Sequence, residues 1–248
     1  MSENILEISN LSKYFGGLAA VSECSLKVKK GTITGIIGPN GCGKTTLFNS
    51  IVGYHPIDSG NIEFDGQKIT HLMVGEIARL GMLRTFQQTR IYTKMNCVDN
   101  MQISVSHRKD SKDGIFASRR GEIKDRAEHL LEFVGLYSKR NLISGDLSFG
   151  QQKLLEFAMA LMNEPKVLLL DEPTAGINPT LINGLIDRLQ RANEELGITL
   201  CVIEHNMRVI MNLAEHIYCL SNGKMLASGA PKALQNDQRV IDAYLGGH

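Results

Sequence analysis

The chain has 248 residues, enough to bury a sizeable core as one large domain or two small ones. Its 43% hydrophobic and 21% charged residues are ordinary for a globular protein, and a formal net charge of +1 lacks the domain-wide basic excess of a nucleic-acid binder. No apolar run approaches the roughly 18 to 20 residues needed to span a bilayer.

The opening MSENILEISN is acidic and polar where a signal peptide has a basic start and an apolar core, so a cytosolic chain is expected. Ile5 to Ser9 and Cys24 to Val28 alternate like strands, and Lys30-Gly31 reads as a turn. Thr32 to Ile37 is a β-branched run suited to a buried strand, and it feeds a glycine-rich loop. Thr45 to Val52 then reads as a helix ending at Gly53, and Asn61 to Phe64 with Asp65-Gly66 as a strand and turn.

From about Val74 to Leu161 the pattern is helical. Lys124 to Val134 places Ala127, Leu130, Leu131 and Val134 on one face, and Leu154, Leu155, Ala158, Leu161 and Met162 form another. The polar stretch His107 to Asp113 reads as a loop between them. Strand-like runs return at Val167 to Leu170, Thr199 to Ile203 and Ile217 to Leu220, with a helical pattern over Leu181 to Leu196. Strands alternating with helices imply a mostly parallel sheet covered on both faces. No linker flanks the helical middle, which therefore reads as an insertion in an α/β core. The five cysteines, Cys24, Cys42, Cys97, Cys201 and Cys219, are scattered and never form a CxxC pair, which argues for isolated buried thiols over disulfides or a zinc site.

The chemistry starts in the loop. Gly38, Pro39, Asn40, Gly41, Cys42, Gly43, Lys44 and Thr45 match the phosphate-loop pattern GxxxxGK[ST], with Thr46 next in the helix. Glycines let backbone N–H groups turn inward on phosphate oxygens, and the following helix adds its positive end. Lys44 is expected at the β- and γ-phosphates and the Thr45 hydroxyl on Mg²⁺. Such a match arises by chance in roughly one per cent of chains this long. The loop alone does not separate kinases, GTPases and ATPases. Val167 to Asp171, an apolar strand ending in a carboxylate, reads as a Walker-B arrangement with Asp171 supporting the metal, and Glu172 beside it is placed to polarise a water.

Leu147-Ser148-Phe149-Gly150-Gln151 resembles the LSGGQ signature of ATP-binding cassette (ABC) ATPases. The likeness covers nearly the whole chain, with motifs in the family's order. Gln87 matches the Q-loop glutamine, His205 the switch histidine, and Ala175 to Asn178 the D-loop. Phe15 fits the adenine-stacking aromatic, with Tyr14 as the alternative. A lone histidine after a strand is usually a core or surface residue; the motifs in register carry the resemblance. Phe149 stands where many members have glycine, Asn178 where many have aspartate, and Asn206 replaces the common aspartate after the switch histidine.

The resemblance implies an α/β P-loop NTPase core with an N-terminal antiparallel β subdomain and an inserted helical subdomain. It implies one domain over 1–248, with core at about 1–86 and 164–248 and a helical signature segment at about 87–163. It further implies ATP and Mg²⁺, the latter held by Thr45, Gln87 and Asp171, and catalysis by Glu172, His205 and Gln87. Two cassettes would pack head to tail, Ser148, Gly150 and Gln151 of one reaching the ATP on the other. The second cassette would be a copy or a paralogue. With one cassette and no span, the expected partners are separate permeases and, indirectly, a solute-binding protein, with the chain peripheral on the cytoplasmic face of the membrane and no nucleic-acid partner.

Arg84 to Gln87, Met95 to Asn100, Gly176 to Pro179, Glu204 to Met207 and Ala243 to Gly246 resemble the longer ATPase subunit of branched-chain amino acid importers. ATPases of lipopolysaccharide export and of urea or amide import share much of this pattern. A soluble ABC ATPase of translation or DNA repair usually carries two cassettes or a long coiled-coil insertion, and neither is visible here. A regulatory module that binds ATP without turnover would not need Glu172, His205 and Gln87.

Overall fold

The computed structural model describes residues 3–85, 90–105 and 116–245. Strands β1 (Asn4–Phe15), β2 (Leu18–Lys29) and β3 (Ile33–Ile37) lead to α1 (Lys44–Ile51), β4 (Ser59–Phe64), β5 (Gln67–Lys68), α2 (Val74–Leu80) and β6 (Met82–Arg84). Helices α3 (Cys97–Ile103), α4 (Phe116–Phe133) and α5 (Phe149–Leu161) follow. Then come β7 (Val167–Asp171), α6 (Pro179–Leu196), β8 (Thr199–Ile203), α7 (Met207–Leu213), β9 (His216–Ser221), β10 (Lys224–Gly229), α8 (Pro231–Gln235) and α9 (Gln238–Leu245). These elements gather into two compact units, one of Met1–Arg84, Lys166–Pro173 and Leu189–His248, the other of Thr85–Pro165 and Thr174–Arg188.

The first unit carries two sheets, the mostly parallel one that strand–helix alternation leads one to expect and the antiparallel one that the family resemblance implies. An antiparallel sheet has the order β2-β1-β4-β5, and a six-stranded sheet the order β10-β9-β3-β8-β7-β6. All pairings in the second sheet are parallel except β10 with β9. Every residue of β3, β7 and β8 is buried, which is why these strands read as continuous apolar runs. Leu47, Phe48 and Ile51 of α1 join Leu6, Ile8, Val28, Ile62 and Phe64 in one cluster. Burying each such side chain contributes about 2 kcal/mol. The short helix is therefore held by its apolar face more than by propensity.

Sheet order positions the chemistry. β3, β8 and β7 are neighbours although far apart in sequence, and Ile203 pairs with both Ile36 and Asp171. Their carboxyl ends are therefore level. In open parallel sheets ligands bind beyond those ends, where the strand order switches direction.

In the second unit the helical faces form as their spacing predicts. Ala127, Leu130, Leu131 and Val134 are buried, as are Leu155, Ala158, Leu161 and Met162, while Leu154 is half-buried. Asn100, fully buried, organises the Met95 to Asn100 segment. Its Nδ2 donates to the carbonyls of Tyr92 and Asn96 and to Ser144 Oγ, and its Oδ1 accepts the Tyr92 N–H at 2.7 Å.

Four strands differ from the sequence reading. β6 interrupts the stretch read as helical from Val74 to Leu161, because a three-residue edge strand is too short to show a period of two. β1 and β2 run for 12 residues each, longer than their alternating cores, because bulges and positive φ at Asn10 and Glu23 break the pattern. β10 is a mixed edge strand that had no strand signal. The loop expected at His107 to Asp113 lies outside the described residues. All five cysteines are free and buried. Among the described residues no helix is long and apolar enough to cross a membrane.

Candidate functional site

The loop between β3 and α1 lies at the carboxyl end of a central strand. Gly43 has a φ of +106°, and a Cβ there would stand 2.3 Å from the Ala20 carbonyl oxygen, so only glycine fits. It caps α1 with no side-chain hydrogen bond to the first turn. The helix therefore begins with amide groups open to an anion. Lys44 is 6% exposed, and its Nζ donates to the carbonyls of Gly38 at 2.7 Å and Pro39 at 3.0 Å. Among the described residues no carboxylate lies within ion-pair distance of it. A buried cation facing two neutral carbonyl oxygens and the Cys42 thiol, with Nζ 3.9 Å from Sγ, is an arrangement that an anion completes. Asn40, Gly41 and Thr45 are exposed, and Thr46 is half-buried. Cys42 is buried, and burial pushes its thiol pKa up, with Lys44 opposing.

Asp171 ends β7 and is 2% exposed. Its carboxylate meets Arg84 Nη2 at 2.7 Å, and Arg84 Nη1 bonds Asn49 Oδ1 of α1. The pair follows from the sheet, since β6 lies beside β7 with Arg84 opposite Leu169. Glu172 has a φ of +49°, uncommon for a side chain of this kind, and its N–H donates to the Ile203 carbonyl at 2.9 Å. That turn brings its Oε1 to 3.6 Å from Nδ1 of His205, which follows β8 and keeps a half-exposed side chain. Asn206, where the family often has aspartate, still caps α7 by accepting the Val209 N–H. Phe15 is 45% exposed at the end of β1 and meets His55 edge-on at 5.4 Å. Tyr14, also exposed, is tied through its backbone to Asp58.

The signature residues belong to the second unit. Ser148 caps α5 in a closed box: its Oγ accepts the Gln151 N–H at 3.4 Å, and its own N–H donates to Gln151 Oε1 at 3.1 Å. Gly150 is buried, and a Cβ there would come 3.3 Å from Leu181. The unusual Phe149 lies over the D-loop: a Cβ on Gly176 would stand 2.9 Å from its ring. Asn178, where many family members have aspartate, accepts from the Thr180 N–H and hydroxyl through its Oδ1 at the start of α6. Gln87 lies outside the described residues.

The first unit thus gathers Lys44, Thr45, Asp171, Glu172 and His205 at the ends of adjacent strands. Sequence reasoning missed Arg84 as the partner of Asp171, His55 against Phe15, and a contact from Tyr244 to the loop. None has a local pattern that points to a partner so distant in the chain. The box at Ser148 did have a signal, the S-x-x-Q spacing ahead of an apolar helix.

The chain is similar to known proteins along its length. Residues 21–175 match the family model "ABC transporter", and residues 224–248 match "Branched-chain amino acid ATP-binding cassette transporter". The high-affinity branched-chain amino acid transport ATP-binding protein BraF of Pseudomonas aeruginosa is 40% identical, covering 99% of each chain. LivG of Escherichia coli, which bears the same description, is 35% identical, again covering 99% of each. A solved ATP-binding cassette of an ABC transporter in its ADP conformation superposes with a TM-score of 0.87 at 33% identity, covering 99% of this chain and 100% of that one. A dimeric post-hydrolysis cassette bound to ADP and phosphate has a TM-score of 0.78 at 26% identity, covering 91% and 98%.

Proposed function

We propose, for a chain that belongs to the ATP-binding family of ABC transporters, that it is the ATP-hydrolysing subunit of a branched-chain amino acid importer. The observation that carries the nucleotide reading is Lys44, a buried cation between two carbonyls at the open start of α1. ATP phosphates supply the charge that this cradle lacks. Phe15 offers an exposed ring for adenine, with Tyr14 beside it.

Asp171 is a buried carboxylate already matched to a positive group, Arg84, and the exposed Thr45 hydroxyl adds a second hard oxygen donor. Those residues fit Mg²⁺, which takes few protein oxygens alongside phosphate and water. When bound, it neutralises phosphate charge as the γ-phosphoryl departs. Glu172 orients a water and takes its proton. His205, within 3.6 Å of Glu172, fixes that carboxylate and donates toward the γ-phosphate. Gln87 is assigned the link between the γ-phosphate and the helical unit. Ser148, Gly150 and Gln151 are assigned to the ATP of a second cassette, a copy or a paralogue, so that ATP joins two cassettes and hydrolysis parts them. Separate permeases in the membrane receive that motion, and a solute-binding protein delivers to them.

The importer reading rests on the named relatives and on the match at 224–248. Deleting the chain from cells should abolish its share of high-affinity leucine, isoleucine and valine uptake. The wild-type chain should restore uptake, and Glu172→Gln should not. Unchanged uptake on deletion, together with co-purification of ribosomes or DNA in place of polytopic membrane subunits, would replace this reading with the soluble one.

A further inference from the structure

The last helix reaches the phosphate loop. α9 carries Val240, 2% exposed, and one turn later Tyr244, half-buried. Residues four apart share a helix face, so both look inward. The Tyr244 hydroxyl oxygen accepts the Gly38 N–H at 2.8 Å, across 206 residues of sequence.

Gly38 is where the strand becomes the loop. Its φ is +148°, and a Cβ there would stand 2.2 Å from the Leu220 carbonyl oxygen and 2.6 Å from Cys42 Sγ. Its carbonyl receives Lys44 Nζ at 2.7 Å. Both backbone polar groups of Gly38 are thus held by side chains, one from within the loop and one from α9.

The two holds respond differently to a ligand. Lys44 carries the charge that a phosphate attracts, so binding draws it away from the Gly38 carbonyl. The tyrosine hydroxyl is neutral, and burial pushes its pKa up to about 12, so it keeps its proton across the physiological range. Resting on the nucleotide-binding reading above, we propose that Tyr244 is a positioning residue for the phosphate loop, keeping Gly38 in register while Lys44 exchanges backbone carbonyls for phosphate oxygens. Helix α9 then acts on nucleotide affinity through the Tyr244 hydrogen bond. Removing the hydroxyl strands the N–H of the buried Gly38, a loss of the size of about a tenfold change in binding.

The test compares Tyr244→Phe, which keeps the ring, with Val240→Ala, which loosens the same helix without touching the loop. ATP titrated calorimetrically into the whole chain gives affinity. Amide exchange over residues 36–45 reports the loop, and thermal melting reports folding. Tyr244→Phe should weaken ATP about tenfold, with faster exchange confined to that peptide. Val240→Ala should melt earlier yet bind ATP like the wild type where it is folded. Wild-type affinity and exchange in Tyr244→Phe overturn the proposal. So does a loss of affinity in both variants that tracks their loss of stability, because α9 then acts only through folding. A wild-type chain that binds no ATP overturns the nucleotide reading instead.

Discussion

Helix α1 begins at Gly43 with no side-chain cap, whereas α5 begins at Ser148 inside a closed capping box. The amides that open α1 sit beside a buried lysine held by two carbonyls and a thiol, with no carboxylate. Those that open α5 are partly satisfied by the serine and glutamine of its own first turn. Both are the anion-binding end of a helix, yet one is left electrostatically incomplete and the other is closed on itself. On the proposed function, the phosphate loop binds nucleotide as a single chain. The signature then trades internal hydrogen bonds for contacts to a phosphate, which suits a surface that engages only when a second cassette brings one.

The predictions probe that contrast. Glu172→Gln removes the base but not the cradle, so hydrolysis should fall by about 10² to 10⁴-fold with ATP affinity kept. Steady-state rates beside equilibrium titration decide it, and near-normal turnover would remove Glu172 from the mechanism. Lys44→Ala leaves the open helix end without its cation, and ATP should bind roughly 10 to 100-fold more weakly. An unchanged dissociation constant would mean the cradle is not where ATP sits. Asn100→Ala strands several polar groups in the helical unit and should cost about 2 to 3 kcal/mol of stability. Melting should show it, while the ATP affinity of the folded chain stays the same; a matching loss of affinity would break the separation of roles. Ser148→Ala opens the box at a cost of about 1 kcal/mol. The smallest effect is chemical: buried Cys42, its thiol pKa raised, should alkylate more slowly at pH 8 in the folded chain than after unfolding. Equal rates would contradict the closed packing around the loop.

Most of the core was legible in the sequence because its signals are local. β3, β7 and β8 are buried along their whole length and mostly apolar, and the loop motif follows its strand directly. What escaped is what the sheet order creates. Arg84 meets Asp171 only because β6 lies beside β7, and Glu172 meets His205 only because β7 lies beside β8. Tyr244 reads only as part of the importer-like segment Ala243 to Gly246 until its hydroxyl is found on Gly38. Phe149 stands where many family members have glycine, and its ring packs over Gly176, where a larger residue would collide with it. Periodicity reports which face of an element is buried, and it is silent on which distant backbone that face meets.

The most direct test titrates ATP with magnesium into dilute chain carrying Glu172→Gln, alone and combined with Lys44→Ala or Ser148→Ala. Lys44→Ala should lose ATP affinity, while the folded Ser148→Ala chain should keep it and lose ATP-driven association with a second cassette. Equal loss of affinity in both, or ATP binding unaffected by Lys44→Ala, would contradict this.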